Sequence, residues 1–287
     1  MDLVVSGSSG GYSIFHDTMA DMTYPEVVEA SRSGAIVLWG LGVIEQHGPH
    51  LPLATDVYLP YALLRETRKV LAARNVPSIL MPPFYWGVNY VTASFPATFE
   101  VRPEIVIELM VDLIKNLKKD GFAHLFCVSG HGDALHNKTM LAAIKRAASE
   151  TPIGAYLVCT PPFLNRLKAD PAFDPADPAV IPAQEASYMT PYLDIHAGEI
   201  ETSIMWGLFP DLVRQDIMRT LKPTNFGIED LNEWRKGRDH ARRKTPHGYL
   251  GDPAASDPRK GEQVLLKQAE LIADAIEGKL RAERPKL

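Results

Sequence analysis

Three short segments of the sequence combine carboxylates with histidines at close spacing. They are Glu45/His47/Asp56, His131/Asp133 and His196/Glu199/Glu201. Residues two positions apart in extended backbone project from one face, so Glu45 and His47 can point at the same ion. Imidazole and carboxylate are ligands for zinc and for other borderline or hard divalent metals. Each segment alone also fits a solvated polar loop, but three such segments favour a metal site.

The first two segments hold more ligands than one tetrahedral ion needs. The five groups are Glu45, His47, Asp56, His131 and Asp133. They suit two ions that share a bridging carboxylate and leave an open position for water. Asp56 is the expected bridge because a carboxylate has two oxygens. It also lies at the predicted start of a helix, where a negative charge is favourable.

Short apolar runs alternate with amphipathic stretches along the first half of the chain, which predicts an α/β fold. We expect strands at 35–39, 78–81, 123–128 and 153–159, with helices between them. This alternation is typical of a single domain with α/β/α layers around a mostly parallel sheet. Functional sites in such sheets lie beyond the carboxyl ends of the strands. Because the first two segments both follow predicted strands, we expect the fold to bring them together.

The rest of the chain carries weaker signals. Residues 1–22 are expected to form an N-terminal arm, and residues 23–287 a single domain. Residues 160–193 are dense in Pro, Ala and Asp and are expected to form a long surface excursion, while residues 211–258 read as irregular. We also expect one helix at about 198–208 and a final amphipathic helix from about Lys260.

The composition excludes several classes of function. The formal charge is −5 and no block of like charge occurs, which argues against a nucleic-acid partner. No apolar run approaches the roughly 20 residues of a membrane span, and the first residues lack the pattern of a signal peptide, so no membrane partner and a cytoplasmic location are expected. Cys127 and Cys159 lie in apolar strand-like runs, which predicts buried free thiols.

Longer motifs around the polar segments resemble those of the creatininase (creatinine amidohydrolase) family. They are Glu-Gln-His-Gly-Pro-His-Leu-Pro-Leu-Ala-Thr-Asp from Glu45, Gly-His-Gly-Asp from Gly130, and His-Ala-Gly-Glu-Ile-Glu-Thr-Ser from His196. The resemblance implies an α/β/α subunit and two divalent metal ions, zinc first, with manganese or iron as alternatives. It also implies hydrolysis of a non-peptide C–N bond in a small-molecule amide, and a homo-oligomer, commonly a hexamer.

The resemblance implies roles for the individual ligands. Glu45 and His131 would hold one ion, His47 and Asp133 the other, and Asp56 would bridge the two. Family members carry Glu or Gly at the position of Asp133.

The third segment would supply the catalytic groups. His196 matches a family histidine that handles protons near the substrate, and Glu201 matches an acid that is either a ligand or a group that orients one. Whether Asp133 or Glu201 completes the second ion stays open. Glu199 is expected to face solvent or to pair with a base.

The expected reaction is attack on the amide carbon by a metal-bound hydroxide, with His196 or a neighbouring carboxylate protonating the leaving nitrogen. Two alternatives remain. One is a peptide-trimming peptidase of the same family, and the other is a metal-bearing binding protein without turnover.

Aromatic residues are expected to wall the substrate pocket. They are Trp86, Tyr90 and Phe95 in the loop 83–100, together with Tyr192. Creatinine-hydrolysing members of the family carry tryptophans that close over the substrate, whereas this chain has Tyr192 in that region, so a substrate other than creatinine is expected. The loop 83–100 contains no Arg or Lys and does not favour a phosphorylated substrate, although Arg102 or the excursion 160–193 could supply a cation.

Overall fold

The computed structural model describes residues 16–283, and its five strands form one sheet. The strand order is β2-β1-β3-β4-β5, and every neighbouring pair is parallel. The strands are β1 (Ile36–Leu41), β2 (Ser78–Leu80), β3 (His124–Ser129), β4 (Gly154–Cys159) and β5 (Val180–Pro182). Most of their residues are buried, as expected for parallel strands with helices on both faces.

Helices cover both faces of the sheet. They are α1 (Tyr24–Arg32), α2 (Thr55–Ala73), α3 (Pro103–Lys119), α4 (Ala134–Glu150), α5 (Pro161–Lys168), α6 (Glu199–Leu208), α7 (Gln215–Met218), α8 (Ile228–Trp234), α9 (Asp239–Lys244) and α10 (Pro258–Glu283). One core joins the sheet to α3 and α4, and a second core joins the opposite face to α2 and α10. Among residues 16–283, no helix is both long enough and apolar enough to cross a membrane.

Two parts of the chain are more ordered than the sequence predicted. The excursion 160–193 contains α5 and also β5, whose residue Val180 pairs with Leu157 of β4. The stretch 211–258 contains the three short helices α7, α8 and α9. These elements are too short to show a clear hydrophobic period.

The N-terminal arm lies mostly outside the described residues. Where the description begins, Asp17 forms ion pairs with Arg65 and Arg68 of α2, and Thr18 is fully buried. Residues 16–22 therefore pack on the domain, while the rest of the arm predicted at 1–22, including Tyr12 and Phe15, is outside the described part of the chain.

The register of the sheet places the first two polar segments together. Leu41, at the end of β1, pairs with Ser129 at the end of β3, and the N–H of Gly130 donates to the carbonyl oxygen of Leu41 at 2.8 Å. The loops that follow these two strands thus leave the same edge of the sheet side by side.

Two glycines allow α2 to begin between these strand ends. A Cβ at Gly42 would lie 2.7 Å from the carbonyl carbon of Asp56, and a Cβ at Gly130 would lie 2.8 Å from Cγ of Pro60. Both distances are shorter than any side chain tolerates, so the close approach of the first turn of α2 depends on glycine. That turn carries Asp56 to the edge where both loops emerge.

Candidate metal centre

Three groups of potential ligand atoms meet at this edge of the sheet. One contains Glu45, His47 and His196, and the other two share one carboxylate. Of these two, the first contains Glu45, Asp56 and His131, and the second contains His47, Asp56 and Glu201. Within each group the ligand atoms lie within 4.8 Å of one another. Asp56, the residue expected from the sequence to bridge two ions, belongs to both of these groups.

The first group leaves two carboxylate oxygens without hydrogen bonds. Nδ1 of His131 lies 2.9 Å from Oε2 of Glu45 and 2.8 Å from Oδ2 of Asp56, yet both carboxylate oxygens are buried without a hydrogen-bond partner among the described residues. Buried polar atoms without a partner are unfavourable and call for an explanation. A divalent cation between one imidazole and two carboxylates would satisfy them, so these residues fit a metal.

The second group is oriented by neighbouring backbone. Nδ1 of His47 lies 3.0 Å from the carbonyl oxygen of Glu45, which assigns the proton to Nδ1 and leaves Nε2 as the free nitrogen. That Nε2 lies 3.2 Å from Oδ1 of Asp56 and 3.9 Å from Oε2 of Glu201. Oε2 of Glu201 also accepts a hydrogen bond from the N–H of Ala197 at 2.7 Å, which fixes the carboxylate toward His47.

The electrostatics of both groups favour positive charge. Burial alone would lower the pKa of His47, but the charge of Asp56 and the hydrogen bond to it raise that pKa to about 10. Burial would likewise raise the pKa of Asp56, yet the charges of His47 and His131 hold it well below its usual range. Without a metal, the site therefore takes up protons. A divalent cation would supply that positive charge instead, and its binding would release the protons.

His196 adjoins both groups. Its ring lies 4.4 Å from the ring of His47 and 6.0 Å from that of Trp234, centroid to centroid. Burial lowers the pKa of His196 to about 4, so the ring is neutral near pH 7. Its Nε2 lies 2.8 Å from the carbonyl oxygen and 3.0 Å from the side-chain nitrogen of Gln46. Either neutral tautomer of His196 therefore has a partner at Nε2.

The structure does not place Asp133 in either group. Its Oδ1 accepts from the N–H groups of Leu135 at 2.7 Å and His136 at 3.3 Å, and caps α4. Its Oδ2 accepts from the N–H groups of Tyr90 at 2.8 Å and Val91 at 2.9 Å. Both oxygens are thus used by backbone donors, and the side chain joins the loop 83–100 to the helix that follows His131.

Glu199 differs from its expected exposure. The sequence predicted a residue that faces solvent or pairs with a base, but only 3% of Glu199 is exposed. Burial raises the pKa of its carboxyl group, and the residue belongs to none of the groups of potential metal ligands found in residues 16–283. Glu201, two residues further along α6, is the acid of this helix that belongs to such a group.

The predicted aromatic residues lie around the loop 83–100 and the segment before His196. Trp86 and Tyr90 are partly exposed, at 44% and 37%, and Phe95 is buried. The guanidinium of Arg238 lies 5.2 Å from the ring centre of Tyr90. Tyr192 is partly buried, and its carbonyl oxygen accepts from the hydroxyl of Thr190.

Several neighbours of the site were missed from the sequence. The hydroxyl of Thr92 donates to Oε1 of Glu45, and the hydroxyl of Thr98 accepts from the N–H of Gln46 at 3.1 Å, so the loop 83–100 is attached to the ligands. Gln46 was visible inside the first motif, between two ligands. No sequence signal pointed to Trp234, whose indole N–H donates to the hydroxyl of Thr245 at 3.1 Å.

The two cysteines are free and buried, as predicted. Burial raises the pKa of both thiols, that of Cys159 to about 12. Neither thiol is suited to nucleophilic attack at neutral pH.

Comparison with known proteins gives a consistent result. A family profile described as Creatininase: Creatinine amidohydrolase matches residues 20–276. A creatinine amidohydrolase of Pseudomonas putida is 28% identical over 270 residues, which cover 90% of this chain and 95% of the relative. A mycofactocin precursor peptide peptidase of Mycolicibacterium smegmatis is 25% identical over 242 residues, which cover 84% of each protein.

Solved structures share the fold over nearly its whole length. A creatininase with Mn has a TM-score of 0.68 and 23% identity, covering 94% of this chain and 99% of the other. A Zn–Zn form of a mutant creatininase has the same TM-score and identity and covers 94% and 98%. These likenesses confirm the predicted α/β fold class.

Proposed function

The chain belongs to the creatininase family, and from that premise we propose that it is a metal-dependent amidohydrolase. Its reaction is the cleavage of a non-peptide C–N bond, in an amide, lactam or formamide, of a small molecule. The observation that carries the proposal is the pair of buried carboxylate–histidine groups that share Asp56.

The ligand assignment follows the two groups. Glu45, Asp56 and His131 would hold one ion, and His47, Asp56 and Glu201 the other. Glu201 replaces Asp133 in this assignment, since both oxygens of Asp133 are taken by backbone N–H groups. When bound, two divalent ions would supply a water that ionises near neutral pH and a Lewis acid for a carbonyl oxygen.

Zinc is the first choice of metal, with manganese or iron as alternatives. Two imidazoles with three carboxylates suit each of these ions. Support for zinc and manganese also comes from the Zn–Zn and Mn forms among the structurally similar creatininases.

His196 is the candidate for proton transfer. It is neutral near pH 7 because burial lowers its pKa to about 4, so it can accept a proton and pass it to a leaving nitrogen. Gln46 stabilises either tautomer of its ring. Trp234 covers one side of His196 and would keep bulk water from that side.

A second candidate function is the trimming of a peptide. Its support is the similarity to the mycofactocin precursor peptide peptidase over 84% of this chain. The same ligands would serve either reaction, so the metal groups alone do not separate the two.

Metal analysis and substrate screening test the proposal together. Freshly purified protein is expected to contain close to two divalent ions per chain, and chelation should abolish hydrolysis until zinc or manganese is returned. A panel of lactams, formamides and small amides, run beside unstructured peptides, would separate the two activities. Full activity without stoichiometric metal would refute the metal-dependent mechanism, and release of peptide products alone would favour the peptidase.

A further inference from the structure

Arg166 lies beside the candidate metal ligands without a carboxylate partner. It belongs to α5, which begins directly after β4, at the edge of the sheet that carries the site. A Cβ at Gly132 would lie 3.0 Å from Cζ and 3.2 Å from Nη2 of Arg166, and closer still to Nη1. The guanidinium therefore rests on the backbone between His131 and Asp133. Among residues 16–283, no carboxylate lies within salt-bridge distance of it.

A second arginine approaches the same place. Arg235 follows Trp234 at the end of α8, and Trp234 lies beside His196. Burial lowers the pKa of Arg166, and the charge of Arg235 lowers it further, so the two guanidinium groups are close enough to repel each other. Arg235 also has no carboxylate at salt-bridge distance within the described part of the chain.

The nearby carboxylates do not remove this positive charge. Glu201, Asp133 and Asp56 all favour the charged form of Arg166, and Glu185 is near enough to feel its charge. However, Asp133 is committed to four backbone N–H groups. With two divalent ions bound, the three carboxylates of the metal groups would serve those ions and would not be free to pair with Arg166. Arg235 is exposed, whereas Arg166 is half-buried, and a half-buried cation without a counter-charge in contact is unfavourable unless a ligand supplies one.

We propose that Arg166, with Arg235 beside it, binds an anionic group of the substrate, so that the substrate is an amide carrying a carboxylate or a phosphate. This inference rests on the proposed function and narrows its substrate class. A guanidinium matches the two oxygens of either anion with paired hydrogen bonds. Since Arg166 rests on Gly132, the anionic group of the substrate would lie on the His131 side of the centre. The carbonyl group of the substrate would then point toward the metal ligands.

Three matched probes test the charge preference. They share one formamide group: N-formylglycine has a carboxylate, N-formylaminomethylphosphonate has a phosphonate, and N-formylglycinamide is neutral. Binding to zinc-loaded protein is measured by titration calorimetry, where any turnover appears as steady power separate from the binding heat. We expect at least one anionic probe to bind roughly tenfold tighter than the neutral probe, as a charge-assisted contact allows. The preferred anion distinguishes a carboxylate substrate from a phosphate substrate.

Variants assign that preference to the arginines. Arg166→Gln should abolish the preference and leave the neutral probe unchanged, while Arg166→Lys should keep part of it. Arg235→Gln should weaken the binding of the anionic probes severalfold. Lys168→Gln is the matched control, because Lys168 is an exposed cation on the same helix, and it should change nothing.

The outcomes separate this inference from the proposed function. Metal content is measured in every sample, and a wild-type protein without metal would refute the proposed function by itself. Equal binding of the three probes, binding of none, or an unchanged preference in Arg166→Gln would overturn the role of the arginines. Loss of the preference in Lys168→Gln as well would show a general charge effect and would overturn it equally.

Discussion

Replacement of Asp56 by asparagine tests whether one carboxylate serves both metal positions. The substitution keeps the size of the side chain but removes its charge. Oδ1 of Asp56 faces His47 and Oδ2 faces His131, so each position loses one donor. Loss of a residue that only orients a ligand already costs about 10- to 100-fold in metal affinity. We therefore expect the affinity of Asp56→Asn for each ion to fall by more than about 100-fold, or roughly 3 kcal/mol.

The same substitution should destabilise the metal-free protein. At about 1.4 kcal/mol for each tenfold change in proton affinity, the rise in the pKa of His47 from 6.5 to about 10 amounts to on the order of 5 kcal/mol. Glu201 and Glu45 contribute to this rise, so that value is an upper bound for Asp56. Breaking a buried ion pair typically costs about 3–5 kcal/mol, which is the expected loss in free energy of unfolding.

The loss should depend on pH in a defined direction. The folded pKa of His47 is raised, so its stabilisation is fully present below pH 6.5 and is lost as the pH rises toward about 10. The folded pKa of Asp56 is depressed, so its stabilisation is present above its usual value of 3.8 and is lost as the pH falls further. The difference in unfolding free energy between wild type and Asp56→Asn should therefore be largest between pH 3.8 and pH 6.5 and smaller near pH 10.

The assay combines metal analysis with a folding control. Wild type and variant are dialysed against buffers of defined free zinc or manganese, bound metal is measured by mass spectrometry, and circular dichroism follows unfolding in urea. Glu199→Gln is the matched control. Like Asp56 at the start of α2, Glu199 at the start of α6 is a buried carboxylate, but it lies outside the metal groups. It should keep close to two ions. An Asp56→Asn protein that keeps both ions at wild-type affinity, or that loses only one, would refute the bridging role.

Three further predictions concern the ligands, the substrate and the assembly. Glu201→Gln should lose the ion at His47 and keep the other. Asp133→Asn should keep both ions, and the weaker N-terminal cap of α4 should lower the unfolding free energy by about 1–2 kcal/mol. The reverse result in metal analysis would make Asp133 the ligand. Creatinine should not be the best substrate in steady-state kinetics, because we expect Tyr192 to stand where creatinine-hydrolysing relatives carry a tryptophan lid, and we propose that Arg166 favours an anion. A tenfold or larger preference for creatinine, about 1.4 kcal/mol, would contradict this. Light scattering at micromolar concentration should show a homo-oligomer, with a hexamer expected from the family, and a monomer of 31.7 kDa would rule it out.

The sheet and its edge could be predicted from the sequence. The runs predicted at 35–39 and 123–128 are strands Ile36–Leu41 and His124–Ser129, because buried parallel strands are continuous apolar stretches. Parallel strands end at one edge, so the fold class predicted that the segments carrying Glu45, Asp56 and His131 would lie side by side there.

The short elements of the second half could not be predicted in this way. β5 has three residues, and α7, α8 and α9 have four, seven and six. Segments of this length bury too few side chains to show a period, and they form because the packed domain stabilises them. The positions of Trp234 beside His196 and Arg166 beside Gly132 depend on these short segments and on α5. The sequence therefore predicted neither contact, beyond a possible cation from the excursion 160–193.

Tertiary structure alone decided which carboxylate lies beside His47. Asp133 and Glu201 are both acids shortly after a histidine, and their chemistry as ligands is similar. The turn after His131 directs Asp133 to the N–H groups of α4 and of Tyr90, while the packing of α6 against α2 brings Glu201 to His47 and Asp56. The sequence determined the types of donor atom, since these belong to single residues. The grouping of those atoms around a common point required the packing of segments that are far apart in the chain.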